Sequence, residues 1–153
     1  MKENYRYVVC PCCGVLKPGL HYPHCVYDPK MPKPPDLTAP ITEFRQEYRF
    51  LSNFWPCIIR YEMFTYRSVE HAYQAAKCAL PSDQQTVRDA DSAGMAKRLG
   101  KEVIIRADWS QIKLEVMADL LWQKFVLNPD LRKRLLETGD RELIEGNTWK
   151  DTY

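Results

Sequence analysis

Ser68-Val69-Glu70-His71-Ala72-Tyr73-Gln74-Ala75-Ala76-Lys77 is the stretch from which the rest of the chain is best read. Placed on a helix of 3.6 residues per turn, Val69, Ala72, Tyr73, Ala76 and Leu80 fall at core spacing. Glu70, Gln74 and Lys77 follow i, i+4, i+7, so a carboxylate, an amide and an amine share one narrow strip. Ser68 stands where its hydroxyl can cap the free N–H groups of the first turn. Two readings fit this pattern. One is a solvated helix face with an ordinary charge pattern. The other is the wall of a site, backed by small residues that let other elements come close.

Working outward, the chain of 153 residues is the size of one domain with an N-terminal appendage. Three segments are expected. Residues 1–28 are rich in Cys and His. Residues 29–40 carry prolines at 29, 32, 34, 35 and 40, which forbid regular helix and predict a stiff linker. Residues 41–153 read as one folded domain. A net charge of +2 neither demands nor excludes nucleic acid, because only a clustered basic surface would count. There is no apolar run of about 18 residues and no signal-peptide core, so a cytoplasmic protein without membrane contact is expected. Cysteines would then stay reduced. Cys57 and Cys78 read as small buried hydrophobes.

In the N-terminal segment, Cys10-x2-Cys13 followed by His21-x3-Cys25 offers four soft ligands at zinc-like spacing, with Cys12 and His24 as alternatives. So short a segment cannot bury enough apolar surface to fold alone, and a metal would supply the missing stability. The expected cofactor is a structural Zn2+, since four protein ligands leave no open position. No organic cofactor is expected. Unligated thiols in a flexible arm are the alternative.

Within residues 41–153, Ile41–Arg45 suits a strand, and Phe50–Pro56 is an irregular aromatic segment. Cys57–Tyr61 and Phe64–Arg67 predict a hairpin turning at Glu62-Met63. Beyond the Ser68 helix come short helices over Ser82–Asp89 and Ser92–Leu99, with Gly100 placed to end the second in a left-handed conformation. Val103–Ile105 reads as a strand. Ser110 is expected to cap a long helix to Leu127, burying Ile112, Val116, Met117, Leu120, Leu121 and Phe125. Asn128-Pro129-Asp130 starts another helix, Leu131–Glu137, stopped by Thr138-Gly139, and Leu143–Glu145 reads as a last strand. Short strands that do not alternate regularly with helices argue for a compact, mainly helical α+β domain rather than a doubly wound sheet.

Several of these pieces, in this order, resemble the NADAR (YbiA-like) family. They are Phe50–Pro56, Tyr66–Lys77, Ala96–Gly100, Trp109, Met117, Lys124-Phe125, Leu136–Gly139 and Ile144–Asn147 with Asp151. The resemblance runs from about residue 44 to the end and leaves the Cys/His segment outside. It implies a compact, mostly helical enzyme that cleaves N-glycosidic bonds of ribosylated bases. The implied partners are a phosphorylated ribosyl compound of riboflavin synthesis or an ADP-ribosyl molecule, including ADP-ribose on a guanine base of nucleic acid.

Such a bond breaks when the base leaves and C1 of ribose gains positive character. Protonating the base and placing negative charge near C1 both help. Glu70 can supply either, according to its protonation. Lys77 lies about two turns away, ~10 Å along the helix axis. It can bind phosphate as a point charge, or attack ring-opened C1 as a neutral amine and form a Schiff base. The resemblance favours the second role. Trp55, Tyr73 and Trp109 are candidates to stack a base, although most aromatics of a small domain are core. Asn53 and Gln74 can hydrogen-bond a base edge or sugar. Asn147 and Asp151 are spaced to close a polar corner. His71 is expected to satisfy a local hydrogen bond, and Arg45, Arg49 and Arg67 to sit in solvent. Competing functions are a zinc-dependent nucleic-acid or protein-binding module, and an ADP-ribose sensor that does not turn over.

Overall fold

The computed structural model describes residues 38–146. The Cys/His segment, most of the proline-rich stretch, Asn147 and Asp151 lie outside them. The expected zinc ligands Cys10, Cys13, His21 and Cys25 therefore have no structural account here.

A short hairpin and five helices follow a 3-10 turn over Gln46–Leu51. Strand β1, Ile59–Tyr61, pairs antiparallel with β2, Phe64–Tyr66, in the register Ile59↔Tyr66. The reversal at Glu62-Met63 is the expected one, and Glu62 takes the positive φ (52°) that the tight turn requires. The outer edge of β1 has no third strand. Side chains from the far end of the chain satisfy it instead: Asn128 Oδ1 accepts from Ile58 N–H at 2.9 Å and Asn128 Nδ2 donates to Ile58 O at 2.9 Å. Gln123 Oε1 accepts from Arg60 N–H at 2.9 Å. An open sheet edge is thereby closed by amides.

Helix α1, Val69–Ala76, is the hub of the fold. Ser68 caps it as expected, its hydroxyl accepting from His71 N–H. All eight of its residues are buried, which overturns the solvated-face reading of this helix. Ala72, Ala75 and Ala76 present no bulk, so α2 (Pro81–Arg88), α3 (Ala93–Leu99), α4 (Trp109–Val126) and the hairpin all pack against it. The core there joins Ile59, Tyr66, Val69, Val87, Ala96 and Leu120. A second cluster, Ile41, Phe50, Leu51 and Leu131, seats the 3-10 turn on α5 (Pro129–Glu137).

Several expectations change. Leu80 is exposed and serves as the N-cap of α2, while Cys78 takes the buried place after α1. Ile41 and Leu143 form one isolated parallel bridge, and Cys78 and Ile105 one antiparallel bridge, rather than three strands. Neither segment has a sheet to join, so each pairs only where the chain passes. Asp108, not Ser110, is the N-cap of α4, and Ser110 lies inside the helix. Of the expected inner face of α4, Val116 and Leu120 are buried while Ile112, Met117, Leu121 and Phe125 are half-buried. Gly100 is right-handed (φ −61°) and not left-handed. Its reason is steric and appears below. No helix among the described residues is long and apolar enough to cross a membrane.

Candidate active site

Glu70 and Gln74 stand one turn apart on α1, and both are at least nine-tenths buried. Gln74 Nε2 donates to Glu70 Oε1 at 2.9 Å. The Gln74 side-chain oxygen, Oε1, is buried and accepts no hydrogen bond. It faces the end of α3, where a Cβ on Gly100 would lie 2.8 Å from Gln74 Cδ. Glycine at 100 thus lets α3 close over the amide that holds the carboxylate. Above it, the Glu70 backbone N–H donates to Asn53 O at 3.0 Å, so the turn after the 3-10 segment caps the same corner.

Lys77 follows at the C-cap of α1 and is half-buried. Burial pushes its pKa below the ordinary lysine value; Glu70 opposes that shift and Lys101 adds to it. The amine is therefore easier to deprotonate than a solvated lysine, and it shares an electrostatic environment with Glu70. Its backbone carbonyl is held by Arg106 N–H at 3.0 Å. Arg106 is fixed in turn by bidentate contact with Asp108 at 2.6 and 3.1 Å, immediately before α4.

Tyr73 and Trp109 form a tilted pair with ring centroids 4.9 Å apart. Both pack into the α1 core, Tyr73 buried and Trp109 half-buried. Trp55 is half-buried and belongs to the other cluster, beside Phe50 and 5.5 Å from the Arg134 guanidinium. The structure therefore gathers Glu70, Gln74, Lys77 and the Asn53 backbone, keeps Tyr73 and Trp109 as neighbours on α1 and α4, and sets Trp55 apart. The Asn53 amide donates to Met117 Sδ at 3.7 Å. His71 behaves as a local residue: Nδ1 lies 2.7 Å from Ser68 Oγ and Nε2 3.2 Å from Ala90 O. Burial lowers its pKa, while the contact with Ala90 O opposes that shift. Arg45, Arg49 and Arg67 are exposed, though Arg67 Nη2 donates to Asp89 O and Ala90 O. The Cys78 thiol donates to Gln74 O at 3.2 Å and is pushed up to about 11 by burial, which removes it as a nucleophile at neutral pH.

Lys124 belongs to the resemblance through Lys124-Phe125, but the pattern of the chain gave it no role. Among the described residues it is the largest fully buried side chain, at 0% exposure. The signal available was a lysine four residues after Leu120 and eight after Val116, on the core face of a helix. Among the described residues, no group of three or more His, Cys, Asp or Glu could hold a metal ion. A shallow depression of about 400 Å³ lies elsewhere, between Val126, Pro129, Arg132, Lys133, Leu136 and Glu137. It contains none of the candidate residues. The chemistry outweighs the volume here, because those walls are solvent-facing and hold no buried acid.

Residues 41–153 match the NADAR domain. The chain belongs to the NADAR domain family. It is 39% identical over 110 residues to a riboflavin biosynthesis protein of Vibrio vulnificus, a match covering 71% of this chain and 30% of that protein. It is 32% identical over 111 residues to N-glycosidase YbiA of Escherichia coli, covering 70% of this chain and 68% of that one. An N-glycosidase of Nostoc punctiforme is 29% identical over 109 residues, with 67% and 69% covered. The chain thus spans under a third of the Vibrio protein and about two-thirds of each N-glycosidase. The NMR structure of E. coli YbiA superposes with a TM-score of 0.64 at 30% identity, over 76% of this chain and 71% of that one. This NADAR domain therefore has a YbiA-like fold: mixed helices around a two-stranded sheet.

Proposed function

We propose that this NADAR domain is an N-glycosidase that hydrolyses the bond between a ribosyl C1 and a base nitrogen. Its substrate would be a phosphoribosyl intermediate of riboflavin synthesis or ADP-ribose on a guanine base. The observation that carries the reading is the acid–amide–amine order along α1: buried Glu70 held by buried Gln74, with half-buried Lys77, its pKa lowered by burial, at the C-cap on the same side. Burying a carboxyl group costs free energy that the helix dipole and the Gln74 amide must offset. Such a carboxyl group serves glycoside chemistry well.

In the proposed reaction, Glu70 gives a proton to the leaving base as the C1–N bond breaks, and its carboxylate then faces the cationic sugar. Water adds to C1 and gives a proton back to the carboxylate, the resulting hemiacetal opens to the C1 aldehyde, the deprotonated Lys77 amine adds to it, and loss of water leaves a Schiff base. A second water hydrolyses it and returns the amine. Half-buried Trp109 of α4, paired with Tyr73 of α1, would stack the base.

The test is a mass-spectrometric product screen on both substrate types. Free base should appear with the wild type and fall by ~100-fold or more with Glu70→Gln, the fold remaining intact by circular dichroism. Borohydride added during turnover should leave a sugar adduct on Lys77. Binding of ADP-ribose with no base released would favour a sensor. Salt-sensitive nucleic-acid binding that survives Glu70→Gln would favour a binding module.

A further inference from the structure

We propose that Lys124 is a positioning residue, whose buried ammonium clamps the turn at Leu51–Asn53 against α1 and so sets the place of the Glu70 carboxylate; this rests on the catalytic reading of Glu70.

Lys124 Nζ donates to Leu51 O at 3.0 Å and to Ser52 O at 2.8 Å, reaching more than 70 residues back in the chain. Both acceptors lie where the 3-10 turn ends and its last carbonyls lack a regular partner. Ser52 O also accepts from Trp55 N–H at 3.0 Å, which closes the turn. The next carbonyl, Asn53 O, takes the Glu70 N–H. Met117, seven residues before Lys124 and so on the same side of α4, accepts from the Asn53 side chain. One face of α4 thus grips three consecutive residues, and the third of them holds the first turn of α1.

The charge is costly where it stands. Among the described residues no carboxylate forms an ion pair with Lys124, and only Glu145 and the Cys57 thiol favour the charged form from a distance. An apolar residue at a fully buried place on α4 would avoid that penalty. What an apolar residue cannot do is bind two buried carbonyls at once. The clamp accounts for a lysine here, and its position beside the Glu70 corner gives the clamp a catalytic consequence. A displacement of about 1 Å at a reacting group can cost ~100-fold in rate.

Amide hydrogen exchange on the full chain, read by NMR, tests this with Lys124→Met. Protection of the Glu70 and Trp55 amides should drop by ~10-fold or more, while the Ala76 amide, at the other end of α1, changes by less than ~2-fold. In turnover assays, kcat should fall by ~10-fold or more with KM moving less than ~3-fold. If the Glu70 amide keeps its protection, or if Glu70 and Ala76 lose it together, the clamp is refuted. Should Lys124→Met not fold, Lys124→Gln, with two N–H donors of shorter reach, should show a smaller loss confined to the same amides. A uniform loss there refutes the proposal equally. Exchange is independent of turnover: a fully active Glu70→Gln would remove the functional reading, whereas unchanged Glu70 protection would remove only the clamp.

Discussion

Raising the pH should stabilise this domain through Lys124. Burial lowers its pKa from 10.5 to about 8 in the folded chain, with Glu145 and Cys57 opposing the shift. The unfolded chain therefore holds the proton longer, and stability rises with pH between the two values. This contribution is fully present above the unfolded pKa and is lost as pH falls through the folded one. With the ends at 10.5 and about 8, the gain relative to low pH is ~1.4 kcal/mol at pH 9 and ~2.5 kcal/mol at pH 10. Other buried groups act in the opposite direction. The Cys78 thiol is pushed from 9.0 to about 11 and Cys57 upward as well, so the folded chain keeps those protons longer and loses stability above pH 9. A difference measurement separates the effects. Urea unfolding of the wild type and Lys124→Met, at pH 7 and at pH 9, is followed by far-UV circular dichroism. The midpoint difference between the two proteins should move toward the wild type by ~0.7 M, for a slope of ~2 kcal/mol per molar urea. If both proteins respond to pH in parallel, Lys124 is not the buried titrating group and the account of its burial is wrong.

Two further substitutions probe the same corner. Gly100→Ala would set its Cβ 2.8 Å from Gln74 Cδ and 3.0 Å from Gln74 Cβ, so the amide must leave Glu70. A stability loss of ~1–3 kcal/mol and a ~10- to 100-fold loss in kcat/KM are expected, and full activity would refute the contact. Ser68→Ala removes both the cap of α1 and the hydroxyl beside buried His71 Nδ1. Urea unfolding should register a loss of ~2 kcal/mol, and a loss under ~0.5 kcal/mol would show that His71 finds another partner.

Much of the local order was legible in the residues. Ser68 caps the helix it precedes, the hairpin turns at Glu62-Met63, and Thr138-Gly139 ends α5 with Gly139 at φ +61°. Each depends on a hydroxyl, a turn or a periodicity within a few residues. The acid–amide–amine order on α1 was legible for the same reason. The misplaced cap of α4, Asp108 and not Ser110, was a local error; the other main errors fell where a partner was needed. Ile41–Arg45 and Val103–Ile105 have strand-like composition, but a strand exists only where another lies beside it, and each segment meets a single bridge. Gly100 looked like a left-handed terminator because glycine commonly is one; here its missing side chain admits Gln74, and no local pattern carries that information.

The sequence by itself determined which residues form α1 and that Glu70, Gln74 and Lys77 share one of its sides, because helix spacing is a property of neighbours. Only the tertiary structure decided that this side is buried, that Trp55 stands apart from Tyr73 and Trp109, and that Lys124 binds the turn beside Glu70. Those outcomes depend on contacts between segments tens of residues apart. Desolvation and close packing set them, and both exist only once the chain has closed on itself.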